Sequence, residues 1–224
     1  NKNDANLTFL ILLLKRVKME GFLTSLGNIN VIFYILAYLV GGIPFGMILA
    51  KQYAKVDVRE SGSKSIGATN VLRVVKEKDP VLAKKLGIAT LALDAIKGVA
   101  ILAVAAFIFH LDNSVLWGVA VLAVLGHCFS PYLGFEGGKG VATAFGALLF
   151  LNPVATALAF VGWFIAAKTL KISSVSSLFG LVTLLVVAHS GLWEPFSVGS
   201  QSPVWVIAIL VFYKHIPNIL RLFS

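Results

Sequence analysis

The run Ser61-Gly62-Ser63-Lys64-Ser65-Ile66-Gly67-Ala68-Thr69-Asn70-Val71-Leu72-Arg73 interrupts an otherwise oily chain with hydroxyls, two glycines, an amide and a guanidinium. Such a set suits phosphate. Gly62 and Gly67 let backbone N–H groups approach an anion, Ser63, Thr69 and Asn70 offer donors, and Arg73 offers a planar fork. The spacing fits neither the dinucleotide fingerprint nor the P-loop. A second segment, Glu136-Gly137-Gly138-Lys139-Gly140-Val141-Ala142-Thr143, repeats the chemistry. A helix expected from Val141 would place its N-terminus and the preceding N–H groups on one anion, with Lys139 as a point charge and Thr143 in the first turn. A third segment, Lys214-His215-Ile216-Pro217-Asn218-Ile219-Leu220-Arg221, spaces Lys214, Asn218 and Arg221 along one helical face beside His215, and Pro217 predicts a kink. Each has a plainer account: Ser and Thr as helix caps, a glycine turn with a snorkelling lysine, and a basic cap on the last helix. Ser173, Ser174, Ser176 and Ser177 follow Lys168 and Lys171 and read as caps or further phosphate donors. Asp94 and Lys97, three apart in an apolar run, predict an ion pair that is either structural or in contact with substrate.

The elements that position these residues are membrane helices. Hydrophobic residues make up 58% of the 224, charged ones 13%, and the mean hydropathy is +0.90, which excludes an ordinary soluble domain. Runs at Ile29–Leu49, Leu86–Phe109, Val115–Leu133 and Ile172–Ala188 each approach the ~20 residues that cross hydrocarbon as a helix. The run 141–167 is broken at Asn152-Pro153 and reads as two helices with a tight turn, while 204–213 gains length by starting near Pro203 and running past Lys214. The expected fold is therefore all-α, a polytopic bundle of about seven transmembrane helices with no internal repeat. Gly42 and Gly46, around Pro44, read as helix-packing residues. The net charge of +9 does not point to nucleic acid here, because its distribution sets orientation. Lys51, Lys55, Arg59, Lys64, Arg73, Lys76, Lys78, Lys84 and Lys85 crowd the first loop, and Lys139, Lys168, Lys171, Lys214 and Arg221 occupy later junctions. The intervening turns near 111–114 and 191–202 carry Asp112 and Glu194 and no Lys or Arg. By the positive-inside rule all three polar motifs face the cytoplasm.

Residues 1–18 fit this scheme least, since Lys15, Arg16 and Lys18 would lie outside and Leu7–Leu14 is too short to span. The expectation is an accessory extension, with a single domain over 19–224 beginning at Met19; an interfacial helix or a signal-like segment are the alternatives. Cys128 is alone, so no internal disulfide forms, and with His127 it lacks further ligands at metal spacing.

Taken together, Ser63, Gly67-Ala68-Thr69-Asn70-Val71 and Arg73, Leu93-Asp94 with Lys97-Gly98, Gly126-His127 with Gly137-Gly138-Lys139-Gly140-Val141-Ala142-Thr143, and His215 with Asn218-Ile219 and Arg221-Leu222 resemble the bacterial acyl-phosphate:glycerol-3-phosphate acyltransferase family, PlsY. The match runs in order from about Ile29 to the C-terminus. The resemblance implies a seven-helix enzyme of the bacterial inner membrane that moves a fatty acyl group from acyl phosphate to the 1-hydroxyl of glycerol 3-phosphate, giving lysophosphatidic acid and phosphate, the first acylation of phospholipid synthesis. It implies membrane lipid as surroundings, an acyl-phosphate-forming enzyme as functional partner, and no cofactor or metal. The chain departs from the usual Gly-Ser-Gly-Asn with Gly62-Ser63-Lys64-Ser65, carries Lys214 where arginine is common, and has an unexpected Pro217.

An acyl phosphate is already activated, so the chemistry required is alignment of two anions and stabilisation of developing charge. Ser63, Arg73, Lys139, His215 and Asn218 are the expected catalytic residues. Gly62, Gly67, Thr69, Asn70, Gly137, Gly138, Gly140, Thr143, Ser174 and Arg221 are the expected substrate-binding ones. No Ser-His-Asp arrangement stands out, and no His-x4-Asp motif follows any histidine, so direct attack by the glycerol hydroxyl is expected, with His215 or a substrate phosphate oxygen as base. The alternative is a transporter of phosphate or a phosphorylated solute, which calls for polar residues near the midplane and repeated halves. A membrane scaffold makes no demand for the motifs.

Overall fold

The structure, a computed structural model, describes residues 27–223, so the expectation for residues 1–18 lies outside the described residues. The chain is all-helical over that range. Helix α1 (Ile29–Gly42) starts where Asn28 accepts a hydrogen bond from the N–H of Asn30. It breaks at Ile43-Pro44 and resumes as α2 (Phe45–Leu49), which widens into a π turn over Ala50–Ala54 and stops at Lys55 in the left-handed region. A break inside a span needs partners for its freed carbonyls. Ser130 Oγ donates to Gly42 O at 2.7 Å and Lys97 Nζ to Ile43 O at 2.9 Å.

After the first loop comes α3 (Ala68–Lys76), which buries Asn70, Val71, Val74 and Val75 along one side and leaves Arg73 and Lys76 exposed. It lies along α4 (Pro80–Ala103), whose start is fixed by Pro80 and by Asp79, the acceptor for the N–H groups of Val81 and Leu82. A second π turn carries α4 to Ile108. Then follow α5 (Asn113–Cys128), α6 (Val141–Leu151), α7 (Pro153–Leu170), α8 (Ser173–Ala188) and α9 (Ser202–Leu220). The break expected at Asn152-Pro153 is there: Asn152 ends α6 and its Oδ1 caps α7 through the N–H of Ala155. Pro217 stays within α9, near its end, where few carbonyls remain to be lost.

Among the described residues five stretches are long and apolar enough to cross a membrane (Ile29–Ala54, Pro80–Ile108, Asn113–Leu133, Pro153–Leu170 and Ser202–Leu220), and α6 and α8 are shorter apolar helices. Small residues let the backbones meet. A side chain at Gly41 would collide with the Ala123 backbone, one at Gly126 with Tyr38 O, and one at Gly146 with the Ala95 backbone, which joins α1 to α5 and α4 to α6. Gly42 and Gly46 are packing residues as expected, against Pro131 and Ile66. Trp117, Leu102, Leu116, Leu151 and Ile207 are fully buried in the main core. A separate small core of Ala50, Val58, Ile66, Val71, Val75, Ala83 and Leu86 pins the first loop against α3 and α4. At the other end of the bundle Phe196 O accepts from Trp117 Nε1, and Glu194 accepts from Asn152 and Gln201.

Candidate active site

Asn70 organises the first motif from beneath. Its Oδ1 accepts from the N–H of Ser63 at 2.8 Å, and its Nδ2 donates to Val58 O at 2.8 Å and to Ser65 O at 2.9 Å, with Ser61 O at 3.3 Å. With its side chain spent on four backbone groups, Asn70 has no amide hydrogen to offer an anion. In this structure Asn70 holds the loop's shape while lining the cavity described below. Gly62 sits at φ +64 packed on Asn70 Oδ1, outside that lining. Below the loop, Asp57 takes Arg59 at 2.7 Å and Lys51 at 2.8 Å, and these bonds, Arg59 first, hold its carboxyl well below the usual carboxylate range.

The second motif is moulded onto the end of α5. A side chain at Gly137 would strike His127 O, one at Gly138 the His127 ring, and one at Gly140 would come within 2.9 Å of Cys128 Sγ. Gly140, at φ +80, is the residue from which α6 starts. Gly137 and Gly138 therefore serve close packing, and neither is among the residues that line the main cavity. Thr143 is fully buried among helices, outside that lining. Lys139 alone in the segment projects its charge. Burial lowers its ammonium from the ordinary lysine value to about 8, helped by repulsion from Arg221 and Arg73.

These loops close one end of a cavity of about 820 Å³. Ser63, Gly67, Thr69, Asn70, Arg73, Asp94, Lys139, Gly140, Ser174, His215 and Asn218 from the expected set line it. Three helix N-termini meet there: α3 through Ala68 and Thr69, α6 through Val141 and Ala142, and α8 through Ser173 and Ser174. Thr69 Oγ1 and Ser173 Oγ lie 3.3 Å apart, tying two of these ends together. Each contributes a partial positive charge, and Arg73, Lys139 and Lys171 add whole ones. The single carboxylate among the described lining residues, Asp94, is paired at 2.7 Å with Lys97, as expected. His215 is buried in α9, where its Nδ1 donates to Val211 O at 2.7 Å, so Nε2 is left as an acceptor. Arg221 lies outside the lining; its Nε donates to Pro217 O, and its charge is felt by Lys139. Away from this end the walls are apolar: Ile88, Leu91 and Ala95 from α4, Phe145 and Leu148 from α6, Phe160 and Trp163 from α7, and Leu181 and Leu184 from α8. The lining residues His127 and Lys171 were not among the expected site residues, while Ser177 reads in the sequence as a cap or a phosphate donor. Lys171 was legible as a topology signal, and His127 as a weak metal candidate beside Cys128 and as part of the family resemblance.

An anion-binding end continuous with an oily groove is the shape of a site for a lipid with a phosphorylated head. Residues 31–224 match the model of the family described as glycerol-3-phosphate acyltransferase. The chain belongs to the glycerol-3-phosphate acyltransferase family. Proteins named glycerol-3-phosphate acyltransferase from Aliarcobacter butzleri and Sulfurimonas denitrificans are 55% and 57% identical to it over 197 residues, 88% of this chain and 94% of each relative. Among solved structures it is similar to PlsY, an integral membrane glycerol 3-phosphate acyltransferase. The glycerol 3-phosphate form matches with a TM-score of 0.75 at 33% identity, and the lysophosphatidic acid form with 0.72 at 32%; each match covers 88% of this chain and 92% of that one. At these identities the likeness carries the family as well as the fold, and makes this an integral membrane member of it.

Proposed function

We propose that the protein transfers a fatty acyl group from acyl phosphate to the 1-hydroxyl of glycerol 3-phosphate, releasing lysophosphatidic acid and inorganic phosphate, at the cytoplasmic face of a bacterial inner membrane. The observation that carries this reading is the cavity itself, with three helix N-termini, Arg73 and Lys139 at one end and an apolar groove between α4, α6, α7 and α8 behind them. The groove takes the acyl chain, which leaves the carbonyl and both phosphates at the basic end. Arg73 and Lys139 neutralise phosphate oxygens and bring two anions together, a task on which effective molarity and charge stabilisation both depend. Ser63, Thr69, Ser174 and Asn218 supply neutral donors, and the N–H groups opening α6 and α8 add their own.

The glycerol hydroxyl attacks the acyl carbon, its C–O bond forms, and its proton passes to His215 Nε2. The bond from the acyl carbon to the phosphate oxygen breaks as the tetrahedral centre collapses, and the departing phosphate keeps that electron pair. No acyl-enzyme is required, because the donor is already an anhydride. The basic junctions at 51–85, 139, 168–171 and 214–221 support the cytoplasmic assignment, where a water-soluble phosphorylated acceptor and an acyl-phosphate-forming enzyme would meet the site.

Purified protein in lipid, given acyl phosphate and labelled glycerol 3-phosphate, should yield labelled lysophosphatidic acid and one phosphate per ester. Uptake of label without esterification would make it a transporter. A labelled acyl group bound covalently to the protein during turnover would refute direct transfer.

A further inference from the structure

A buried cluster ties the break in the first span to the glycine-rich loop, and no step above uses it. Lys97 Nζ lies 2.7 Å from Asp94 Oδ1, donates to His127 Nδ1 at 3.0 Å and to Ile43 O at 2.9 Å, and has the Phe45 ring 5.7 Å away. The ammonium thus hydrogen-bonds to α5 and the end of α1 and forms an ion pair with α4. Asp94, Lys97 and His127 are 2%, 4% and 3% exposed, so the cluster is buried in the wall of the cavity. The far edge of the imidazole faces Gly138. A Cβ there would land on Nε2 with ring carbons at 2.8 and 2.9 Å on either side, so the bare glycine Cα rests directly on the ring edge. The Gly138 N–H also donates to His127 O at 3.0 Å. The next residue is Lys139.

We propose that Asp94, Lys97 and His127 form a positioning unit for Lys139: the clamp fixes the imidazole, the imidazole fixes the height of Gly138, and that height sets how far the Lys139 ammonium reaches into the cavity. An apolar cluster would hold three helices together as well or better, so stability alone is a weak reason for burying these charges. A hydrogen-bonded ionic cluster does what an apolar one cannot, which is to define one orientation of a ring. Pairing also matters electrostatically. Asp94 lines the same cavity as Lys139, and Lys97 neutralises a carboxylate that would otherwise repel substrate phosphate or capture the Lys139 charge. The charges that act on Lys139 are then Arg221, just after α9, and Arg73 from α3, and the Lys139 charge in turn reaches His215 of α9. The inference rests on the acyl-transfer reading for its substrate.

The test uses the full chain in lipid nanodiscs, with His127→Gln and with Gly138→Ala, which keeps every charge and only pushes the loop off the ring. Binding of glycerol 3-phosphate is measured calorimetrically from pH 6 to 10, beside turnover. Both variants should weaken binding about tenfold, ~1.4 kcal/mol, and raise KM more than they lower kcat. The pH at which binding falls off should move upward from about 8, because a loosened Lys139 is better hydrated. Weakened thermal stability with unchanged affinity and an unmoved pH limb would overturn the proposal and leave the cluster a structural tie. If His127→Gln does not insert, Gly138→Ala decides alone, and wild-type affinity and pH limb in that variant would refute it. Failure of the wild-type chain to bind glycerol 3-phosphate would instead sink the functional reading, a separate result.

Discussion

Lys139 offers the sharpest test of the proposed chemistry, because burial first, then Arg221 and Arg73, bring its ammonium to about 8. At pH 7 roughly nine-tenths of it is charged in the free enzyme, and at pH 9 roughly one-tenth. If the charged form alone assembles the two phosphates, kcat/KM should be level on the neutral side, bend near pH 8 and then fall about tenfold per pH unit. Bound substrate favours the ammonium, so kcat should bend at a higher pH than kcat/KM. The acidic limb belongs to the substrate, whose phosphomonoester loses its second proton near pH ~6. The assay follows labelled lysophosphatidic acid at initial rate, over times short enough that acyl phosphate survives in base.

Lys139→Arg isolates the cause. A guanidinium stays charged throughout, so this variant should lose the limb near pH 8 even though its planar fork fits a point-charge site poorly and its plateau is lower. Lys139→Ala should retain insertion and lose at least about a hundredfold in kcat/KM, ~2.7 kcal/mol of transition-state stabilisation. A wild-type profile flat to pH 10, or a limb near pH 8 that persists in Lys139→Arg, would refute the assignment. On stability the same shift acts in the opposite sense. The unfolded chain binds more protons between about 8 and the ordinary lysine value, so folded stability gains from this residue as pH rises through that window.

Arg73→Ala should cost at least about a hundredfold in kcat/KM, and Arg73→Lys should recover only part of it, because an ammonium cannot make two parallel bonds to phosphate; near-normal turnover in Arg73→Ala would remove Arg73 from the site. His215→Asn should lower kcat by about 10²–10⁴ with little change in KM, while an unchanged kcat would hand the proton to the leaving phosphate. Ala159→Phe, on the apolar wall, should raise KM for long-chain acyl phosphates and spare glycerol 3-phosphate; equal effects on both substrates would place the acyl chain elsewhere. In a Cys128→Ser background, cysteines at Asn113 and Ser200 should react from outside intact cells with a label that cannot cross the membrane, and cysteines at Lys64 and Glu136 should not; the reverse pattern would put the site on the wrong side for a cytosolic phosphate ester.

What could be read along the chain was what depends on local composition. Apolar runs locate the spans, Asn152-Pro153 locates the turn between α6 and α7, and the polar interruptions locate segments that line the cavity. Direction of use was less legible. Asn70 has the right chemistry to bind phosphate, yet it is consumed by Ser63, Val58, Ser61 and Ser65, because a loop of small residues needs an internal partner for its backbone before it can serve a ligand. Gly137 and Gly138 resemble an anion nest in one dimension and a packing seam in three, since α5 lies against them. Lys171 reads as topology, and Ser177 as either a cap or a phosphate donor, because nothing local places the start of α8 beside Arg73 and Lys139.

The bilayer explains why the glycine segments and the charged cluster depend on parts of the chain far away in sequence. Hydrocarbon leaves irregular backbone no water to bond with, so each departure from helix must be satisfied by another part of the chain. The break after Gly42 recruits Ser130 and Lys97, from α5's end and from α4, and Lys97 then requires Asp94 and His127. One interruption in the first span therefore dictates a buried charge two helices away, and that charge fixes the ring on which the Lys139 loop rests. A residue chosen for satisfying backbone in α1 becomes, through packing alone, a determinant of where substrate phosphate is met.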